Sequence, residues 1–175
     1  ITEYKIEYDT SADFSGAQTS LLTDLSGGSH FFKTITGLTK GTTYFVRVSA
    51  KNSQGYGATQ VTSPASAHPF QAPASPSDVR LGITSDTMLT VSFDTPTDTG
   101  GDSINSYRIE WDTASNFNSL SVAPHKGSAT VAANAHNSYT IETLTQDTIY
   151  YARVFAINNA GEGTGQNANP SSAAP

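Results

Sequence analysis

Four histidines, His30, His68, His125 and His136, are the first groups in this sequence that could bind a metal or pass a proton. None shares a short metal-ligand spacing with another histidine, and the chain has no cysteine to complete a zinc site or a disulfide framework. They read as scattered loop and linker residues. A denser cluster lies in DTPTDTGGD, Asp94 to Asp102, which gathers three carboxylates in one loop. Calcium favours several carboxylate oxygens on a flexible turn, but this spacing is not that of an EF-hand, and Asp-Thr-Gly strings are ordinary turn formers. Gly161, Gly163 and Gly165 form G-x-G-x-G behind a strand-like run. A nucleotide loop needs a helix next, and NANPSSAAP offers none, so a glycine hairpin between two strands is expected. Asp9 and Asp112, each followed by Thr, are either ligand carboxylates or Asx-type turns that accept backbone N–H groups, with the turn favoured. No G-x-S-x-G elbow exists, and no Ser, His and Asp set stands out. The expectation is a non-enzymatic chain with no catalytic residue, no metal and no cofactor.

The elements that carry these residues read as strands. In YRIEW, Tyr107, Ile109 and Trp111 alternate with Arg108 and Glu110; in YYARVFA, Tyr150, Ala152, Val154 and Ala156 make one face. A period of two with one apolar face marks a half-buried strand. Turn signals separate the runs, TDTGGDS at Thr97 to Ser103 and NNAGEG at Asn158 to Gly163. Charged residues are only 14% of the chain, with few good formers of surface helices. The fold class predicted is all-β, an antiparallel sandwich. The formal charge of −6 with no basic patch argues against nucleic acid and anionic membranes as partners. No run of eighteen apolar residues exists to span a bilayer as a helix.

The chain also repeats itself. EYKIEYDTSADF, from Glu3, returns as SYRIEWDTASNF, from Ser106. GLTKGTTYFVRVSAKNSQGYG, from Gly37, returns as TLTQDTIYYARVFAINNAGEG, from Thr143, with 10 of 21 positions identical. The two offsets are 103 and 106 residues, a period that suits a small domain repeated in tandem. In the second copy PSDVRL, MLTVSFDTP, SYRIEW and SYTIETL follow in order, and Leu144 precedes Tyr150 as Leu38 precedes Tyr44. With these landmarks the sequence resembles the fibronectin type III family over essentially its whole length. The resemblance implies tandem immunoglobulin-like sandwiches, with those four segments as strands A, B, C and E. It also implies a tyrosine corner at the start of strand F in each copy. Phe93 stands where the family usually has a core Trp, a conservative change of volume.

Ile1 aligns with Ile104, which lies at strand C, so the first copy has no counterpart of residues 73–103 and lacks strands A and B. Tyr4, Ile6, Tyr8 and Val46 would then line a bare face, and the missing strands are expected upstream or in a separate chain. The domain limits expected are 1–61 for a partial domain (strands C to G), 62–75 for a Pro/Ala/Ser linker, 76–170 for a complete domain, and 171–175 for the start of a further linker. The chain is expected to be an internal piece of a larger protein.

The outward positions of strand F differ between copies. Tyr151, Phe155 and Ile157 flank Arg153 in the second, where the first has Phe45, Ser49 and Lys51 around Arg47. These three apolar side chains are the candidate protein-contact face. The alternative is that long side chains such as Arg108 cover them from strand C. The function expected is a structural or adhesive spacer of an extracellular or cell-surface multi-domain protein, with a filament or surface assembly as one setting for it. Its partners would be neighbouring modules or other subunits, and its Ser/Thr-bearing linkers could accept O-linked glycans. An accessory region of a secreted enzyme and a receptor ectodomain are the alternatives.

Overall fold

Alternating sequences become strands throughout a computed structural model of the chain, which describes residues 1–28, 30–133 and 137–175. No helix occurs among the described residues. His136 lies outside them. The chain divides into two units, Ile1–Pro69 and Phe70–Pro175.

The first unit contains β1 (Glu3–Asp9), β2 (Gln18–Leu22), β3 (Tyr44–Asn52), β4 (Gly55–Tyr56) and β5 (Gln60–Ala67). They form one antiparallel sheet in the order β2-β1-β3-β4, with β5 also paired to β3. One face of this sheet has no second sheet against it among the described residues. Ile6 is buried, but Tyr4, Tyr8, Tyr44, Val46 and Val48 are only half-buried. Residues 32–35 match the second copy's strand E in sequence, yet they form no strand. A strand needs a ladder partner for its N–H and C=O groups, and the partner of strand E, strand B, is what this copy lacks.

The second unit has a strand B within its own sheet. It contains β6 (Ser77–Ser85), β7 (Met88–Asp94), β8 (Ser106–Asp112), β9 (Lys126–Ala132), β10 (Ser138–Ile141), β11 (Tyr150–Asn158), β12 (Gly161–Glu162) and β13 (Gln166–Ala173). One sheet runs β10-β7-β6; the other runs β12-β11-β8-β9, with β13 paired to β11. All pairings are antiparallel. The core is filled by every second side chain of facing strands: Val79, Leu81, Leu89, Val91 and Phe93 from one sheet, and Tyr107, Ile109, Tyr150, Ala152, Val154 and Ala156 from the other. Burial along β11 alternates without a break, as period-two patterning requires. Phe93 occupies the large aromatic site, 4% exposed, with its ring 4.7 Å from that of Tyr107.

The tyrosine corner forms in both units. The Thr145 N–H donates to the Tyr150 phenol oxygen at 3.1 Å, and the Thr39 N–H donates to the Tyr44 phenol oxygen at 3.1 Å. The limits of the last strand differ from those read in the sequence. Residues 62–67 belong to β5 and 171–173 to β13, both inside stretches expected as linker. Each strand shifts register part-way along its partner, between Phe45 and Arg47 and between Tyr151 and Arg153. Pro64 and Pro170 fall within these strands. Proline is tolerated at sheet edges and bulges, which is why composition hid the pairing.

Candidate functional site

β11 turns Tyr151, Arg153, Phe155 and Ile157 away from the core, and all four are half-buried. Antiparallel register sets Phe155 opposite Arg108 and Arg153 opposite Glu110 on β8. The result is a stack of alternating rings and guanidinium groups. Arg153 lies 4.1 Å from the centre of the Phe117 ring and 5.2 Å from that of Phe155; Arg108 lies 4.0 Å from Phe155 on β8's side. Carboxylates tie down both cations. Arg153 Nε donates to Glu110 Oε2 at 2.6 Å, and Arg108 donates through Nε and Nη2 to Glu162 at 2.7 and 2.8 Å. The Arg108 bond holds the Glu162 carboxyl below its ordinary range and raises Arg108 in turn. Gly165 completes the seat of Phe155: a Cβ there would lie 2.5 Å from the ring. Arg108 from β8 thus lies over Phe155, with Arg153 of β11 beside it, while the ladder as a whole presents rings and paired charges of both signs.

The first unit holds a shorter version. Arg47 Nε donates to Glu7 at 3.0 Å and its guanidinium lies 4.3 Å from the Phe14 ring. Phe14 and Phe117 both have φ of 57°, a left-handed backbone that non-glycine residues seldom adopt. Ser49 stands where Phe155 does, 2% exposed, its hydroxyl without a hydrogen-bond partner among the described residues. The phenylalanines were a missed signal: they close the repeated twelve-residue stretch in both copies.

The other residues singled out by type serve the backbone. Asp112 has no exposed surface and accepts from Ala114 N–H at 2.9 Å and Ser119 N–H at 3.2 Å, with Lys126 Nζ at 3.3 Å. Asp9 accepts from Ser11 and Gly16 N–H at 3.2 and 2.8 Å. Asp98 accepts from Gly100 N–H at 2.9 Å, and Asp102 from Ser103 N–H and Asn159 Nδ2 at 2.8 and 2.7 Å. No group of three His, Asp or Glu side chains among the described residues is placed to hold a metal. His125 stacks on Tyr150, with Nδ1 3.4 Å from the phenol oxygen. The glycine run forms the β11–β12 hairpin, and a Cβ at Gly163 would lie 2.1 Å from the Pro73 carbonyl oxygen. Asn158, not singled out by sequence, is 3% exposed and donates to the Gln71 and Thr99 carbonyls at 2.7 and 2.9 Å. Its signal was Asn52 at the same place in the first copy, where it accepts from Gln54 N–H at 2.8 Å.

Residues 74–173 match the fibronectin type III domain. The chain belongs to the fibronectin type III family. Among curated relatives, Ankyrin repeat and fibronectin type-III domain-containing protein 1 of Homo sapiens is 45% identical over 69 residues, which is 39% of this chain and 6% of that protein. The Danio rerio protein of the same name is 34% identical over 103 residues, 59% of this chain and 7% of that protein. This chain therefore spans only 6–7% of the length of these relatives. Among solved structures, the FN1–FN3 domains of chicken CNTN1 align over 94% of this chain and 52% of that chain, with a TM-score of 0.50 and 22% identity, a likeness of fold.

These relatives correct the expected location. Fibronectin type III domains accompanied by ankyrin repeats point to an intracellular protein, not to a secreted or cell-surface one. A cysteine-free chain leaves the compartment open, and the module type, short linkers and low charge behind the extracellular expectation do not fix one. Fibronectin type III domains commonly mediate protein–protein contacts and are generally non-catalytic, and the relatives are not named as enzymes. No helix among the described residues is long and apolar enough to cross a membrane.

Proposed function

We propose that this chain is a non-catalytic spacing and protein-contact segment of a larger multi-domain protein. Ile1–Pro69 and Phe70–Pro175 serve as successive fibronectin type III modules, the first without strands A and B. The contact is made by the outward face of β11, through Tyr151, Phe155 and Ile157 together with the two arginines that flank Phe155. The observation that supports this is the ladder itself. Aromatic and arginine side chains are the types enriched where proteins bind, and here they share one sheet face, half-open to solvent and already held in place by Glu110 and Glu162. A pre-positioned side chain loses less freedom on binding than a mobile one.

The double variant Phe155→Ala/Ile157→Ala tests the contact. Within the longer polypeptide it should remove the cross-links that map to β8 and β11 while leaving the strand content of the second unit intact by circular dichroism. Cross-links that persist unchanged on this face would count against it. Replacing the 175 residues by a flexible Gly/Ser segment of equal length separates contact from spacing. Such a segment preserves neither the face nor a fixed distance, so loss with this replacement but not with the double variant would leave spacing as the sole role.

A further inference from the structure

A strand at the edge of a sheet carries unpaired N–H and C=O groups, and proteins usually blunt it with brevity, a proline, a bulge or a charge. Three strands of the second unit are blunted in these ways. β10 is only 4 residues long. β6 shifts register twice along β7 and carries the Asp78–Arg80 ion pair. β13 holds Pro170 and a register shift. β9, Lys126–Ala132, is different. It pairs with β8 over seven residues without a shift, and no strand among the described residues pairs with its other side. It has no proline, and its one charge is Lys126. That ammonium is folded back onto Asp112 at 3.3 Å and donates to the Phe117 and Ser119 carbonyls at 3.1 and 3.0 Å. The lysine that would guard the edge is committed to the loop before it.

We propose that β9 pairs antiparallel with β9 of a second copy of this chain, joining two sheets across a two-fold axis. The strand fits its own image. Overlap of all seven residues sets Ala129 opposite Ala129 of the second copy, Ser128 opposite Thr130, Gly127 opposite Val131 and Lys126 opposite Ala132. Lys126 therefore faces an alanine and not another lysine. Hydroxyls meet at the exposed positions Ser128 and Thr130, a pairing that stabilises neighbouring strands. Gly127, the smallest residue, meets Val131, the bulkiest apolar one. The register with β8 carries the match further, since Glu110 lies beside Ser128 and Arg108 beside Thr130. Each such row of the joined sheet runs Glu110, Ser128, Thr130, Arg108, with opposite charges at its two ends. The axis stands perpendicular to the sheet, so the outward faces of the two copies, each with its ladder, become one surface. The counterpart edge in the first unit, β2, pairs over only five residues. A β9–β2 contact would leave part of the longer edge unmet, and as a heterologous contact it would not close on itself.

Sedimentation of the full chain tests the assembly: a monomer–dimer equilibrium is expected, with dimer populated at about 100 µM. Hydrogen exchange along β9 should slow by at least about threefold between about 5 and 500 µM, while β10, the edge of the other sheet, is unchanged. This measurement needs no variant. Ser128→Lys/Thr130→Lys sets lysine against lysine beside the axis. It should give a monomer with unchanged circular dichroism, since both side chains are exposed. Ser128→Glu/Thr130→Glu should also be monomeric, and mixing the two variants should restore a dimer. Sedimentation of the natural chain as a monomer up to about 1 mM would overturn the proposal. So would a dimer that survives the lysine variant, or one that forms without slowing exchange along β9. Two folded variants that fail to pair when mixed would overturn the register and the proposal with it.

Discussion

Asp112 is a carboxylate with no exposed surface in a chain that is otherwise sparing with charge. Burial pushes its pKa up, but bonds from Ser119, Ala114 and Lys126 outweigh it and hold the group below the ordinary 3.8. A depressed folded pKa stabilises the fold above the unfolded value, and that stabilisation fades as pH falls through the folded one. Asp112→Asn should therefore cost about 1–3 kcal/mol at pH 7, because Lys126 and one backbone N–H lose a charged acceptor. The gap between variant and natural chain should narrow as pH falls below about 4. Urea unfolding followed by the fluorescence of Trp111, the single tryptophan, reads the second unit directly. A gap that is constant from pH 7 to pH 3 would contradict the role assigned to the charge. Tyr150→Phe is the neutral comparison. It removes the acceptor of the Thr145 N–H from a site with no exposed surface and should cost about 1–2 kcal/mol with little dependence on pH.

Strands and hairpins constrain residues that look replaceable one at a time. Gly163 donates its N–H to the Ala156 carbonyl at 2.9 Å, and an added Cβ would meet the Pro73 carbonyl oxygen, which is backbone and cannot swing aside. Gly163→Ala should destabilise the second unit by about 1–3 kcal/mol. Gly82→Ala in β6 meets nothing within 4 Å and should stay within about 0.5 kcal/mol of the natural chain. Thermal melts of the two variants decide this, and equal melting temperatures would remove the argument from close approach. At this scale most of the fold was legible. The alternation in YRIEW and YYARVFA gave the faces of β8 and β11, and the repeat supplied the domain period. Residues 32–35 were not legible, because whether FKTI is a strand depends on a partner that the local sequence does not contain. The last strands were hidden by Pro64 and Pro170, which break period and composition but not edge pairing. Of the candidate contact face, the apolar positions could be read from the sequence. The ladder could not, since it joins Arg108, Phe117 and Glu162 across three different segments through register and one left-handed residue.

As a whole molecule the chain holds two versions of one design, one with a core enclosed by two sheets and one with a single sheet whose apolar face is partly open. Opening free energy follows the apolar surface that must be exposed to break a hydrogen bond. In the second unit, freeing the amides of Ile109 or Val154 means separating side chains that are fully buried between β6–β7–β10 and β8–β11. In the first, the equivalent amides of Ile6 and Val48 belong to a sheet whose inward residues already share a groove with solvent. The register of β1 with β3 runs unbroken over seven pairs, as that of β8 with β11 does, with Ile6 opposite Val48 as Ile109 is opposite Val154. A difference in protection between the two pairs therefore cannot come from missing hydrogen bonds and must report the missing cover. Native-state hydrogen exchange should show Ile6 and Val48 exchanging at least about tenfold faster than Ile109 and Val154, a difference of about 1.4 kcal/mol or more in opening. Equal protection in both copies would mean that hydrogen-bonded registry alone sets local stability here, and that a second sheet contributes little to holding the first.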